Sequence, residues 1–371
     1  MKRYLFDIIA KDLGKKMVFI AGPRQVGKTT LGKEFLDPDL AGYLSWDVAS
    51  GRESILKQSF PAKQIVMFDE IHKFRSWKSY MKGVFDDPKR SFKILVTGSA
   101  KLDLFQKGGD SLQGRYHLLR LHPFSVSELG IKSNAGLQEL LDRGGFPEPY
   151  FSGSVDEARR WAREYRVRLI QEEVRTLEQI EDLGKLELLA MRLPELVGSP
   201  LSINGLREDL QVAHKTIERW LAALERLYAV FRIAPLASSK IKALRKSQKY
   251  YLYNWSVVEK QGPRFENLVA GHLLKWVHYQ QDVFGRDLEL SYVRDSTGRE
   301  VDFALSENGK VATLIECKKS DTEIDSSLKY FAKRFPEAEA IQLVQDLEPD
   351  AERVSGGIRL VPALSVLEKL V

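Results

Sequence analysis

Gly22-Pro23-Arg24-Gln25-Val26-Gly27-Lys28-Thr29, followed by Thr30, matches G-x-x-x-x-G-K-[S/T] at every position. Its two glycines let the backbone curl so that successive N–H groups turn inward toward phosphate oxygens. The pattern assigns Lys28 to the β- and γ-phosphates of a nucleoside triphosphate and the Thr29 hydroxyl to Mg²⁺. The context agrees. Met17-Val18-Phe19-Ile20-Ala21 is a short apolar run of the kind a buried parallel strand needs. Residues 29–35 read as a helix whose positive end faces the phosphates.

Two further strands continue the pattern. Gln64-Ile65-Val66-Met67-Phe68-Asp69-Glu70 is apolar and ends in two acids. Laid beside the first strand, it would bring Asp69 to the metal and Glu70 to the attacking water. Lys93-Ile94-Leu95-Val96-Thr97-Gly98-Ser99 ends in small hydroxyl residues, of which Thr97 or Ser99 would sense the γ-phosphate. Arg115, in Ser111-Leu112-Gln113-Gly114-Arg115, is the candidate arginine finger for a neighbouring subunit's nucleotide.

A chain of 371 residues with 43% hydrophobic and 29% charged residues suits a soluble protein of two or three domains. No apolar run reaches the roughly 18 residues of a membrane span, and the first residues do not read as a secretory signal. Cys317 is the only cysteine, which excludes an intrachain disulfide and a cysteine-based metal site. A cytoplasmic protein with no membrane partner is expected. The net charge of +6 permits nucleic-acid binding without requiring it.

Apolar strands at 17–21, 42–46, 64–68, 93–97 and 116–121 alternate with helical stretches, which predicts an α/β domain with a parallel sheet. The reading divides the chain into a P-loop core at 1–122, a helical lid and connector at 123–200, a winged helix-turn-helix at 201–258 and a second α/β domain at 259–371. In the third of these, Leu201–Leu210 gives a short helix capped by Ser202 or Asn204. Residues 215–228 give a second helix with Ile217, Leu221, Leu224 and Leu227 on one face. Lys215, Thr216 and Arg219 would enter a DNA groove. Lys240, Lys242, Arg245, Lys246 and Lys249 would form a wing resting on phosphates.

The last domain carries a looser constellation. Asp302 sits on an alternating strand, and Glu316-Cys317-Lys318 ends the next. Residues two apart on a strand share a face, so Asp302 and Glu316 would hold Mg²⁺ while Lys318 steadies developing charge. Glu266, on a helix upstream, would add a carboxylate.

The order of these blocks resembles the prokaryotic AAA-type ATPases whose C-terminal half is a domain of unknown function with a restriction-endonuclease-like core. The likeness is carried by 21–30, Phe68-Asp69-Glu70-Ile71-His72, Val96-Thr97-Gly98-Ser99-Ala100, Ser111–Arg115, Pro123-Phe124-Ser125, Gly144-Gly145-Phe146-Pro147, the helix pair at 201–228, Phe265-Glu266-Asn267, Glu300-Val301-Asp302-Phe303 and Ile315–Lys318. It implies ATP hydrolysis with Mg²⁺, Arg115 at the finger position, and coupling to a domain that handles DNA. Cys317 and Lys319 depart from the family's usual valine and small residue but leave Asp302, Glu316 and Lys318 intact. Three readings stay open: an oligomeric ATPase that works on duplex or branched DNA, an ATP-gated nuclease, and a signalling or toxin-control switch.

Overall fold

The computed structural model describes residues 1–98, 112–174, 182–236, 248–320, 323–348 and 351–371, with backbone only for 172–174. Ser99, Lys240, Lys242, Arg245 and Lys246 lie outside the described residues. The chain forms two compact units. One comprises Met1–Pro123 with Arg226–Tyr228, the other Phe124–Glu225 with Ala229–Val371.

The first unit is built on five parallel strands, β1 (Met17–Ala21), β2 (Tyr43–Ser45), β3 (Ile65–Asp69), β4 (Lys93–Thr97) and β5 (Tyr116–Arg120). These are the five strands expected from the apolar runs, with ends shifted by a residue. Every residue of β1 is buried, and β3 and β4 are buried at all but their first residue. A parallel sheet has both faces covered, so its strands lack the polar alternation of a half-exposed sheet. Phe19, Phe68, Val96, Trp77 and Met81 belong to one hydrophobic core, and Phe19 stacks on Tyr116 at 4.6 Å.

The order is β2-β3-β4-β1-β5, so β3 is not the neighbour of β1. The expectation that the two lie side by side is corrected by the insertion of β4 between them. In register, Thr97 of β4 is level with Ile20 on one side and Asp69 on the other. The carboxyl ends of β1, β3 and β4 therefore meet at one edge, where open parallel sheets bind ligands.

The second unit holds a mixed eight-stranded sheet in the order β12-β13-β11-β10-β9-β8-β6-β7. Its strands are β6 (Val230–Pro235), β7 (Lys249–Leu252), β8 (Leu288–Arg294), β9 (Glu300–Glu307), β10 (Lys310–Lys318), β11 (Glu339–Val344), β12 (Arg353–Ser355) and β13 (Ile358–Pro362). A 24-residue helix, Gln261–Phe284, packs against it. That helix also pins the start of the unit. His272 Nε2 accepts the Val126 N–H at 3.0 Å, and the buried Lys275 ammonium reaches Ser125 Oγ at 3.0 Å and the Glu128 carboxylate. Burial depresses the His272 imidazole to about 4, so it stays neutral and fit to accept.

The expected helix pair is present as Ile203–Leu210 and His214–Arg226. Ser202, not Asn204, caps the first, accepting the Gly205 N–H at 3.1 Å. Ile217, Leu221, Leu224 and Leu227 are buried as their spacing requires, with Trp220 beside them. The following hairpin does not stand free. β6 pairs with β7 on one side and with β8 on the other, which makes the hairpin the edge of the eight-stranded sheet.

Candidate functional site

The loop between β1 and the helix Lys28–Lys33 is shaped by three left-handed residues, Gly22 (φ 148°), Gln25 (φ 61°) and Gly27 (φ 97°). At Gly22 a side chain is excluded outright, because a Cβ would stand 2.2 Å from the carbonyl oxygen of Leu121. Lys28 starts the helix, is buried, and reaches back across the loop to the carbonyls of Gly22 at 2.9 Å and Pro23 at 2.7 Å. Pro23 and Val26 are buried, Arg24, Gln25 and Thr29 are half-buried, and Thr30 is exposed. From beneath, the buried Arg3 guanidinium donates to the Val26 carbonyl at 2.9 Å and to that of His122. Arg3 carried no motif signal, since nothing in its neighbourhood distinguishes it from a surface arginine.

Asp69 ends β3 and is buried. Its Oδ2 accepts the Thr29 hydroxyl at 3.1 Å and the Tyr43 hydroxyl at 2.8 Å, and its Oδ1 accepts the buried Thr97 hydroxyl. The sequence reading expected Thr29 and Asp69 at one metal, and the structure brings these two together; that Thr97 also bonds Asp69 was not foreseen. The reading also missed Tyr43, which lies 26 residues away on another strand and outside any motif. Burial, with Asp69 second, pushes the Tyr43 phenol up to about 12, so it remains a donor.

Glu70 follows in a left-handed conformation (φ 57°) that non-glycine residues adopt at a cost of about 1–3 kcal/mol. Its Oε2 lies 3.3 Å from Lys73 Nζ and 3.6 Å from His72 Nε2, and Lys73 also holds Asp47 at 2.6 Å. Burial raises the Glu70 carboxyl above its ordinary value, while Lys73 and Lys28 pull it the other way. A carboxylate shifted upward is a better proton acceptor. Arg115 makes a two-pronged ion pair with Asp86 of its own chain, at 2.8 and 2.9 Å.

A triphosphate and its Mg²⁺ fit this site. Curled backbone, lysine and adjoining Thr29–Asp69 oxygens match what each requires. Thr29 and Asp69 would hold such a metal, which would supply charge neutralisation to the phosphates.

The second constellation also assembles. Asp302 is on β9, Glu316 and Lys318 are on β10, and Glu266 is on the long helix. Asp302 Oδ2 accepts the Cys317 N–H at 2.9 Å, Glu316 Oε2 accepts the Asp302 N–H at 3.3 Å, and Lys318 Nζ lies 2.9 Å from Glu316 and 3.0 Å from Asp325. Tyr251 donates to Glu266 at 2.6 Å. Burial drives the Asp302 carboxyl well above the usual range and Glu316 up to about 7.

One residue is not where sequence reading put it. Lys249 was expected on a wing against phosphates, yet its side chain is fully buried in β7. Its ammonium lies 2.6 Å from Glu300, 3.3 Å from Glu266 and 3.7 Å from Asp302. Spacing along the chain grouped it with the basic loop 240–246, but strand pairing with Ile233 turns it inward. The space between Glu266, Glu300 and Asp302 is thus taken by an ammonium. Among the described residues, no group of three or more His, Cys, Asp or Glu side chains is disposed to hold a metal ion. At the helix pair, Lys215 and Arg219 are exposed and Thr216 is half-buried at the start of His214–Arg226. No helix among the described residues is long and apolar enough to cross a membrane.

Residues 14–130 match the family model of an AAA domain, and residues 134–261 and 261–365 match two domains of unknown function. Uncharacterized proteins of Mycobacterium tuberculosis and Mycobacterium bovis are each 25% identical over 248 residues, 66% of this chain and 55% of theirs. The match thus spans about half the length of these relatives. An uncharacterized protein of Methanocaldococcus jannaschii is 24% identical over 308 residues, 67% of this chain and 64% of its own. Among solved structures, the Bacillus subtilis DNA clamp loader delta protein is similar at 11% identity and a TM-score of 0.30, covering 60% of this chain and 88% of its own. A DNA polymerase III gamma subunit-related protein of Thermotoga maritima gives 12%, 0.29, 60% and 96%. With the P-loop, the Asp69 cluster and the parallel sheet in place, residues 14–130 carry an AAA-like P-loop ATPase fold.

Proposed function

We propose that the protein binds and hydrolyses ATP with Mg²⁺ and uses the cycle to act on DNA as an oligomer. The observation that carries the ATPase reading is the meeting of Thr29, Asp69 and Thr97 at the carboxyl ends of β3 and β4 behind the P-loop. Lys28 and the loop N–H groups bind the phosphates. Thr29 and Asp69 hold the metal. Glu70 orients the attacking water and accepts its proton, and Thr97 reports nucleotide state through Asp69. Ser99 would share that role. Arg115 leaves Asp86 to meet a neighbouring subunit's nucleotide, a contribution worth about 10³–10⁵ in rate for such arginines.

The DNA role is supported by the exposed Lys215 and Arg219 at the start of the second helix, the end that enters a groove in helix-turn-helix proteins. The basic residues 240–246 would add phosphate contacts. A switch role with protein contacts has its own support. Leu188 and Met191, three apart on the helix Leu183–Arg192, are about half exposed on a helix that packs against Ile203–Leu210.

The test is steady-state ATP turnover by the purified chain with Mg²⁺, alone and with single-stranded, duplex and branched DNA. Turnover lost in Lys28→Ala and raised several-fold by DNA is the expected result. Turnover absent under every condition removes the ATPase reading. Turnover indifferent to DNA, with nucleotide-dependent assembly, selects the switch.

A further inference from the structure

Lys249 is charged and fully shielded from water, an arrangement that persists only where the charge is matched locally. The match is close. Glu300 and Asp302 are two apart on β9 and so share a face, and Glu266 comes from the long helix opposite. All three approach Nζ, at 2.6, 3.7 and 3.3 Å, and the Tyr292 ring lies 5.3 Å away. Glu266 is held in place by Tyr251 and Glu300 by Arg294 at 3.0 Å. Converging carboxylates closed off from solvent are what a hard divalent cation requires.

We propose that the Lys249 ammonium is the resident cation among Glu266, Glu300 and Asp302, and that it engages the Asp302 carboxylate on which the pattern Asp302, Glu316-x-Lys318 depends for a divalent metal. The cluster accordingly takes no divalent ion, and the unit cleaves no phosphodiester bond there. Its three carboxylates instead bind the long helix, β7 and β9 together through one buried charge. An ammonium offers three donors and no open coordination position, so it neither activates water nor polarises a phosphate as a metal does. The second unit then serves recognition or the transmission of movement.

The experiment is Mn²⁺ binding to the full chain without nucleotide, read by electron paramagnetic resonance, together with nicking of supercoiled DNA in Mg²⁺ or Mn²⁺. Wild-type protein and Asp302→Asn are expected to bind Mn²⁺ alike, and neither nicks DNA. Lys249→Met, which keeps the volume and removes the charge, is expected to gain one Mn²⁺ per chain, lost again when combined with Asp302→Asn. A wild-type Mn²⁺ site that weakens about tenfold or more in Asp302→Asn overturns the proposal, as does nicking abolished by Glu316→Gln. So does a folded Lys249→Met that gains no ion. Where Lys249→Met does not fold, the wild-type and Asp302→Asn pair decides the matter alone.

Discussion

Replacing Tyr43 by Phe isolates one hydrogen bond at the ATP site. The phenol donates to Asp69 Oδ2 at 2.8 Å, the same oxygen that accepts Thr29 at 3.1 Å. Hydrogen bonds to charged groups contribute about 1.5–3 kcal/mol, and partial exposure of Tyr43 places this one near the lower end. At about 1.4 kcal/mol per factor of ten, kcat/KM for ATP should fall roughly tenfold. The ring stays, with Lys33 Nζ 4.2 Å from its centroid, so packing and melting temperature should change little. What is lost is orientation. Asp69 keeps Thr97 on Oδ1 but no longer has two donors fixing Oδ2 toward Thr29, so the defect should be largest when Mg²⁺ is limiting. Asp69→Asn, which removes the charge, should cost much more, on the order of 10²–10³. The assay is turnover against Mg²⁺ concentration for wild type and both variants. Activity of Tyr43→Phe within about twofold of wild type at limiting Mg²⁺, beside a crippled Asp69→Asn, would refute the idea that Tyr43 sets the carboxylate.

Gly22→Ala places a Cβ 2.2 Å from the Leu121 carbonyl oxygen in a backbone region closed to alanine, so it should lose about 2–4 kcal/mol of stability and nucleotide binding with it, read by urea midpoint and a fluorescent nucleotide. Arg115→Ala removes a partly exposed pair with Asp86, so the urea midpoint should move little, while turnover at assembly-forming concentrations falls on the order of 10³; unchanged turnover at all concentrations removes the finger role. Glu316 is raised to about 7 from an ordinary 4.5, chiefly by burial, so the native state holds its proton more tightly than the unfolded chain. Stability should therefore fall as pH rises from 4.5 to about 7, and Glu316→Gln should flatten that slope in urea midpoints taken across the window; an identical slope in the variant would exclude Glu316 as its source.

The candidate ATP site was legible because its parts announce themselves locally. Glycines at 22 and 27 answer a backbone requirement, and β3 and β4 end in Asp69 and Thr97, which the fold brings together. Strand order was not legible, because parallel strands that are apolar throughout carry no mark of their neighbours. The placement of β4 between β1 and β3 emerges only from pairing, and it is what brings Thr97 to Asp69. Tyr43 and Arg3 escaped for the same reason, as contacts between residues far apart in the chain. The second unit shows the opposite failure. Asp302, Glu316 and Lys318 were read in the correct places, but Lys249 was assigned by its neighbours in sequence, and one strand register reversed its meaning.

Lys28 and Lys249 show why residue type and burial together do not define a role. Both are buried lysines beside acids. Lys28 donates hydrogen bonds to carbonyl oxygens of its own loop, Gly22 and Pro23, which orient the ammonium across the P-loop. Lys249 is held among three acidic side chains, which raise its pKa despite burial. An anion approaching there finds the ammonium already engaged by acids. Partner identity thus separates a lysine directed at the carbonyls of a P-loop from one directed at acids within a core.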